Sequence, residues 1–241
     1  MTPPDGLKTA LLPATAARAV APTHATSVHD RIRADLLDGR LAPGTRLQIR
    51  ALMERYGVGQ TPLREALNRL TADGLVEIRD QRGFVVPGIS VAELLELTRT
   101  RCWLEERALR ESMAHATPEW EEALVLAHHR LSRAQRVPDP GISNNASEWE
   151  QRHREFHGTL LSGCRSRWLI GFCEQLTDRH QRYRRLAASR PFPRRDVARE
   201  HADILGAVLA GEVDTAVSRL VSHYEATVAV ILKDPDVFTA R

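Results

Sequence analysis

The stretch TPLREALNRLTADG, residues 61–74, constrains the fold most strongly because it marks both ends of one helix. Thr61 is a suitable N-cap, Pro62 suits the first helical position, and Gly74 lies just past the expected end. The following residues, LVEIRDQRGFVV, predict two short strands around a turn with Gly83. The sequence therefore predicts a helix that leads directly into a β-hairpin.

Two further helical patterns precede this unit. SVHDRIRADLLDG predicts a helix with Ser27 as N-cap and Gly39 at its end. RALMERYG predicts a short second helix that is stopped by Gly57. Three helices and a β-hairpin within about 60 residues are typical of a winged helix-turn-helix. We therefore predict such a domain over residues 26–88.

Every strong pattern beyond this domain is helical. Three helix starts are recognisable from Ser or Thr caps: Ser90 with Glu93, Thr117 before Pro118, and Ser147 with Glu150. PDPGISNN is predicted to be a loop before the third of them. The predicted helices span about 91–116, 118–137, the HREFH segment, 166–188, 195–210 and 212–232. The fold class is therefore mainly α, with a C-terminal bundle of about six helices over residues 89–234.

The two chain ends, the apolar runs and the cysteines indicate where in the cell the protein is expected. Residues 1–25 are rich in Pro and Ala, and Asp5, Pro13 and Arg18 argue against a signal peptide, so we predict a disordered tail. Residues 235–241 are predicted to form a short C-terminal tail. No apolar run approaches about 18 residues, which predicts no membrane span. Three cysteines without a Cys-x-x-Cys spacing predict reduced thiols in a cytoplasmic protein.

A formal net charge of +3 permits a nucleic-acid partner without requiring one. The third helix of a helix-turn-helix places its N-terminal residues against base edges in the major groove. Candidate DNA contacts are Gln60, Thr61, Arg64 and Arg69 on that helix, Arg50 on the helix before it, and Arg82 on the wing. The alternatives are that these arginines are ordinary solvated side chains, or that the domain binds protein.

The same segment carries a family resemblance. The pattern DGRLAPGTRL…LMERYGVGQTPLREALNRLTADGLV…RGFVV resembles the GntR superfamily of bacterial transcription regulators across the N-terminal domain. The resemblance implies that four positions lie at the DNA surface: Arg50, Thr61, Arg64 and Gly83. The family usually has Ser-Arg before Thr-Pro, whereas this chain has Gly59-Gln60, so the operator sequence does not carry over.

HREFH places His153 and His157 on one helix face. A metalloprotease helix has its Glu directly after the first His, whereas Glu155 lies two residues on and about 200° around the helix. A metal-dependent hydrolase is therefore only the alternative function. His201 and His223 also fall on inward helix faces, and four inward histidines each need a partner. A shared Zn²⁺ or Ni²⁺ would satisfy them all.

The helical half resembles the FadR subgroup of that superfamily, with an FCD-type effector domain over about residues 90–232. The motifs are RTRCWLEERAL, HREFHGTLL, REHADILGAVLAGEVDTAV and SHYEAT. Many FCD domains hold a divalent metal with one Asp and three His. The resemblance places His157, His201 and His223 on the histidine positions and His153 on the Asp position. The rival interpretation is that losing the Asp abolishes metal binding and leaves an imidazole-lined pocket for a carboxylate.

Arg101 falls on an apolar helix stripe, where a charge is costly unless it is paired. It either pairs with Glu105 one turn on or, as the resemblance implies, faces the pocket and binds a carboxylate. RHQRYRR, near 179–185, is predicted to be a solvated face, although His180 or Tyr183 could line the pocket. We predict a homodimeric, nucleoid-associated repressor rather than an enzyme, which binds double-stranded operator DNA and responds to a small organic acid such as a dicarboxylate.

Overall fold

The computed structural model describes residues 24–134, 143–187 and 195–238. Residues 1–23 of the predicted N-terminal tail lie outside the described residues, whereas its last two, residues 24 and 25, belong to the first helix. The first domain contains α1 His24–Leu37, α2 Ile49–Tyr56, α3 Gln60–Ala72, β1 Glu77–Arg79 and β2 Gly83–Val85. β1 and β2 pair antiparallel, with Ile78 opposite Phe84, and Arg46 adds an isolated bridge to Val85. The predicted winged helix-turn-helix is confirmed.

One apolar face of each helix forms the core of this domain. α3 buries Leu63, Ala66, Leu67 and Leu70, whose spacing of three or four residues defines a single face. α1 contributes Val28, Ile32 and Leu36 to the same core. Gly57 and Gly74 adopt left-handed backbone angles, with φ of 66° and 69°, and end α2 and α3 as predicted. The exposed face of α3 therefore points away from the rest of the domain.

The predicted start of α3 is wrong by two residues. The helix begins at Gln60, and Gly59 occupies the extended N-cap position without a side-chain hydrogen bond. Thr61 therefore lies inside the first turn and does not cap the helix. Gly is also accepted at an N-cap, and including Thr61 in the helix costs only a few tenths of a kcal/mol.

α1 and α6 also begin earlier than predicted. α1 starts at His24, so Ser27 lies within the helix rather than before it. α6 starts at Ser143, so Ser147 is not its N-cap and the last three residues of the predicted PDPGISNN loop are helical. The rest of that loop lies outside the described residues. Once a helix is nucleated, each added residue costs little, so a helix can extend past a residue that would have capped it.

The second domain contains six α-helices within the described ranges, as predicted. They are α4 Val91–Ala114, α5 Pro118–Arg133, α6 Ser143–Leu161, α7 Arg167–Ala187, α8 Val197–Leu209 and α9 Val213–Leu232. The side chain of Ser90 caps α4 by accepting from Glu93 N at 3.1 Å, and Thr117 caps α5 by accepting from Trp120 N at 3.3 Å. None of the described helices is long and apolar enough to cross a membrane.

The two domains meet where α1 packs against α7. Arg33 of α1 pairs with Asp178 of α7, and Arg182 Nη2 donates to the carbonyl oxygen of Pro87 at 2.6 Å, at the junction between the domains. Near the other end of the chain, Val237 is buried in a cluster with Tyr183. Part of the segment predicted as a C-terminal tail therefore packs against the bundle.

Candidate metal and effector site

Four histidine side chains from three helices meet inside the bundle. His153 and His157 lie on α6, His201 lies on α8 and His223 lies on α9, and all four are buried. One ring nitrogen of each lies within 4.8 Å of those of the others. The Nε2 atoms of His157 and His201 are 3.4 Å apart. The structure thus brings together all four histidines that the sequence singled out.

A carboxylate orients His223. Nδ1 of His223 lies 2.7 Å from Oε2 of Glu200, and Arg195 Nε donates to the other carboxylate oxygen at 2.6 Å. An ionised carboxylate only accepts hydrogen bonds, so Nδ1 carries the ring proton and Nε2 keeps its lone pair. Arg195 Nη2 also approaches Nδ1, but at 3.3 Å it is farther away than the carboxylate. A histidine held in this way by an acidic side chain is typical of metal sites.

A second chain of hydrogen bonds orients His157. The hydroxyl of Tyr224 donates to Glu105, so its oxygen is available to accept from Nδ1–H of His157 at 3.0 Å. Nε2 of His157 then keeps its lone pair on the side that faces His201. His153 lies against Trp149, with ring centroids 4.7 Å apart in a stacked arrangement. The hydrogen bond from Nδ1 of His157 and the stacking of His153 therefore fix the orientation of these two rings.

Burial keeps His153, His157 and His223 uncharged. Burial, followed by the neighbouring histidines and nearby arginines, lowers the pKa of His153 and His157 well below the ordinary histidine value. For His223, burial lowers the pKa to about 4, although the hydrogen bond to Glu200 acts in the opposite direction. Neutral imidazole is the form of histidine that binds metal ions.

These residues fit a divalent transition metal. Imidazole nitrogens suit Zn²⁺ and Ni²⁺. A tetrahedral Zn²⁺ with Zn–N bonds of about 2.0–2.1 Å separates its nitrogens by about 3.4 Å, which equals the distance between Nε2 of His157 and Nε2 of His201. The widest separation in the cluster is larger, so the rings would close slightly around an ion. Because all four ligands are neutral, the ion would keep its full charge.

Arg101 lies beside the cluster on α4 and is fully buried. Its Nε donates to Oε1 of Glu105 at 2.6 Å, and its guanidinium lies 4.0 Å from the centroid of the Tyr224 ring. The predicted intrahelical ion pair is therefore present. However, Nη1 and Nη2 have no hydrogen-bond partner within the described part of the chain. Arg101 thus keeps two donors available while its charge is balanced by Glu105.

Sequence reasoning missed the residues that orient the site. From the sequence, Glu105 is expected only as a partner for Arg101, and no role at the site is expected for Tyr224 or Glu200. A signal was present, since Glu200 and Tyr224 each adjoin a predicted histidine ligand in the sequence. The prediction of a solvated face near 179–185 is wrong, because His180 and three residues after it are buried: Gln181, Arg182 and Tyr183. They are buried because α7 packs against α4 and α6 and also meets α1 of the N-terminal domain.

In the winged helix-turn-helix domain, α3 presents an exposed face that begins with Gln60, Thr61 and Arg64. Arg69 is also exposed, but it lies in the last turn and about 140° around the helix from Arg64, given 3.6 residues per turn. The two arginines therefore cannot contact the same base step. Asn68 is also exposed, and its direction around the helix axis lies between those of Arg64 and Arg69. Its side chain can pair with adenine, although the sequence did not single it out.

The other predicted DNA contacts lie on two separate elements. Arg50 is near the start of α2, with its side chain 94% exposed and only a weak approach of 3.7 Å to Glu54. Arg82 and Gly83 lie at the tip of the β1–β2 wing, and both are exposed. Gly83 has φ of 70°, a left-handed conformation that favours glycine at this turn. The side chains of Arg50 and Arg82 and the backbone at Gly83 are therefore exposed where a DNA surface could meet them.

Residues 24–86 match the gntR family of bacterial regulatory proteins, and residues 96–226 match the FCD domain. The chain belongs to the GntR family. It is 39% identical over 201 residues to the uncharacterized HTH-type transcriptional regulator BphR of Paraburkholderia xenovorans, covering 83% of this chain and 82% of BphR. It is 29% identical over 204 residues to the HTH-type transcriptional repressor GlaR of Escherichia coli, covering 83% and 92% of the two chains.

Solved structures of GntR-family regulators share the fold. The Escherichia coli protein McbR/YncC aligns with a TM-score of 0.74 at 23% identity, over 87% of this chain and 97% of that one. A putative GntR regulator from Rhodococcus sp. RHA1 aligns with a TM-score of 0.66 at 22% identity, over 87% and 97% of the two chains. The protein is therefore a DNA-binding transcription regulator with an FCD effector domain. The hydrolase alternative finds no support, since these families are not enzymes.

Proposed function

We propose that this GntR-family protein is a homodimeric repressor whose operator binding is controlled by a small organic acid, bound beside a divalent metal in the FCD domain. One observation carries this function. Four buried histidines converge, and Arg101, connected to them through Glu105 and Tyr224, keeps two buried donors without a partner. A site with this composition attracts a metal ion and a carboxylate together.

Repression and dimerisation are supported by relatives and by geometry. GlaR is named a repressor, as is RspR of Escherichia coli, which is 25% identical over 198 residues and is covered to 82% by this chain. A single winged domain reads one half-site, so two protomers match a pseudo-palindromic operator of cytoplasmic, chromosomal DNA. We assign base contacts to Gln60, Thr61 and Arg64. Arg50, Arg69, Arg82 and Gly83 are assigned to the neighbouring backbone and grooves.

The charge balance of the site explains why the effector should be an anion. The metal would be held by four neutral histidines and would supply Lewis-acid attraction for an oxygen ligand. Of the nearby carboxylates, Glu105 is already paired with Arg101 and Glu200 with Arg195. An incoming carboxylate would therefore meet uncompensated positive charge. To release DNA, the effector must bind the free form of the repressor more tightly than the DNA-bound form.

Elemental mass spectrometry on protein purified without a nickel column tests the metal. We expect about one metal ion per chain, and none in His157→Ala. Protein that contains no metal and takes up neither Zn²⁺ nor Ni²⁺ would contradict this part of the proposal.

Operator binding measured by fluorescence anisotropy, with and without a panel of organic acids, tests the regulation. Arg101→Ala should bind operator normally but should not respond to the acid that releases the wild type.

A further inference from the structure

Buried donor atoms without partners extend from Arg101 onto α7. Nε2 of His180 has no hydrogen-bond partner within the described ranges, and neither do Nη1 and Nη2 of Arg101. Both side chains are almost fully inaccessible, with exposures of 0% for Arg101 and 1% for His180. A buried donor without a partner costs stability, and the cost is greater when the group is charged. Such groups point to a ligand that accepts from them.

Neighbouring side chains orient His180. Arg184 Nη1 lies 3.4 Å from Nδ1 of His180, and arginine can only donate. Nδ1 is therefore the acceptor, and the proton of the neutral ring is on Nε2. Arg184 is itself held by Glu150, whose carboxylate accepts from Nη2 at 2.8 Å. The chain from Glu150 through Arg184 thus makes Nε2 of His180 a fixed donor.

Arg101 is oriented in a comparable way. Glu105 occupies its Nε, and the ring of Tyr224 covers one face of its guanidinium. Only the two terminal nitrogens remain, and a pair of parallel N–H groups is the arrangement that binds a carboxylate with two hydrogen bonds. The same Glu105 and Tyr224 connect Arg101 to His157. The arginine therefore lies next to the histidine cluster but is separated from it by the tyrosine hydroxyl.

His180 and Arg101 share one electrostatic environment. Burial lowers the pKa of His180 well below the ordinary value, and the charges of Arg101 and then of Arg184 add to this effect. The pKa of His157 is also lowered by burial first and by Arg101 and Arg184 among further causes. Arg184 lies 3.4 Å from His180, and Arg101 is connected to His157 through Glu105 and Tyr224. Glu105 and Glu150 balance the charges of these arginines, but the terminal nitrogens of Arg101 and Nε2 of His180 still lack acceptors within the described residues, and a second carboxylate would supply them.

We infer that the effector is a short dicarboxylate, with one carboxylate at the four-histidine metal site and the other on Arg101 and Nε2 of His180. This inference rests on the proposed function, since it takes from it the metal and the acidic effector. His180 is then a specificity-determining residue, because it contacts only the second carboxylate. A monocarboxylate of equal length would leave its donor, and those of Arg101, without partners.

Isothermal titration calorimetry on the metal-loaded, full-length protein tests the inference with matched probes. Succinate and glutarate are compared with butyrate and valerate, which have the same chain lengths but one carboxylate fewer. At least one dicarboxylate should bind at least about tenfold more tightly than the monocarboxylate of the same chain length. His180→Phe should reduce that preference about tenfold without changing the metal content or the affinity for the monocarboxylate. His180→Gln keeps an N–H donor and should retain most of the preference for the dicarboxylate. This variant replaces His180→Phe in the test if the Phe variant does not fold.

The outcomes separate the inference from the proposed function. Equal binding of both kinds of acid would overturn the dicarboxylate but leave a carboxylate-sensing regulator. A dicarboxylate preference that survives in His180→Phe would overturn the role of His180. If metal-loaded protein binds none of the four acids, the inference fails, and a wider panel in the operator assay then decides the proposed function. His129→Phe, an exposed histidine on α5, is the matched control and should behave as wild type.

Discussion

Asp178 of the FCD domain accepts a hydrogen bond of 2.9 Å from Nε of Arg33, which lies on α1 of the DNA-binding domain. The other oxygen of the same carboxylate pairs with Arg154. Arg154 lies on α6 between His153 and His157, so a single carboxylate joins the helix that carries half of the histidine cluster to the DNA-binding domain. A displacement of α6 on metal or effector binding therefore has a short physical path to α1.

Asp178→Asn should weaken the contact between the domains. The substitution would leave two arginines near each other without their shared counter-charge, and Asp178 is largely buried. We expect the free energy of unfolding to fall by about 2 kcal/mol, which is less than for a fully buried pair because Arg33 and Arg154 are partly exposed. Urea denaturation followed by circular dichroism, at one protein concentration, measures this change.

The control for this variant is Asp203→Asn. Asp203 lies on the surface of α8, 3.9 Å from an exposed arginine, so its loss should change the unfolding free energy by less than about 0.5 kcal/mol. Equal effects of the two substitutions would mean that the Asp178 contact does not stabilise the interface between the domains.

Arg64→Ala should weaken operator binding by about 1–3 kcal/mol and relax specificity at one base position. Arg64 is exposed in the second turn of α3, where a recognition helix meets base edges. Arg69→Ala is the matched comparison, because Arg69 lies in the last turn and should weaken operator and random DNA alike. Fluorescence anisotropy at fixed salt on both kinds of DNA gives the two affinities. Equal losses for Arg64→Ala on operator and random DNA would make Arg64 a phosphate contact.

Asp35 should give the DNA-binding domain a pH-dependent stability. It accepts from Tyr56 Oη at 2.7 Å and from Arg55 Nη2 at 2.6 Å. Burial alone raises the pKa of Asp35, but the hydrogen bonds from Tyr56 and Arg40 and the arginine charges lower it further, so the net pKa lies below the ordinary value. Its stabilising contribution is therefore complete above the unfolded-state pKa of about 3.9 and is lost as pH falls through the lower folded-state value.

The measurement for Asp35 is the difference in unfolding free energy between wild type and Asp35→Asn. The difference should be about 2 kcal/mol and constant from about pH 5 to pH 8, because the carboxylate stays ionised there in both states. It should shrink below about pH 4. A difference that grows on acidification would contradict the depressed pKa of Asp35.

The helices could be predicted because their caps, stops and apolar faces are local. Ser90, Thr117 and Gly74 act as predicted, since each effect depends on residues within one turn. Helix starts were less predictable, as Ser27 shows, because a helix can continue through a residue that is equally able to cap it. Propensities of a few tenths of a kcal/mol do not fix such a boundary.

The convergence of the four histidines could also be anticipated, but their surroundings could not. Tyr224 and Glu105 are 119 positions apart in sequence, and their hydrogen bond depends on how α4 and α9 pack. The same holds for His180, which lies in a run of charged residues that resembles a solvated face. Local periodicity contains no information about which helix will cover such a run.

Glu200→Gln should lower metal affinity about tenfold to a hundredfold while leaving the four histidines in place. Glutamine can still accept from Nδ1 of His223, but it carries no charge, so it makes the imidazole a weaker ligand and releases Arg195 from its ion pair. Competition for Zn²⁺ with a chromophoric chelator measures the affinity. Glu212→Gln, an exposed residue in the turn before α9, is the control and should match the wild type. If Glu200→Gln binds Zn²⁺ as tightly as Glu212→Gln does, then Glu200 does not tune His223, and its contact with Nδ1 only supports the packing of α8 against α9.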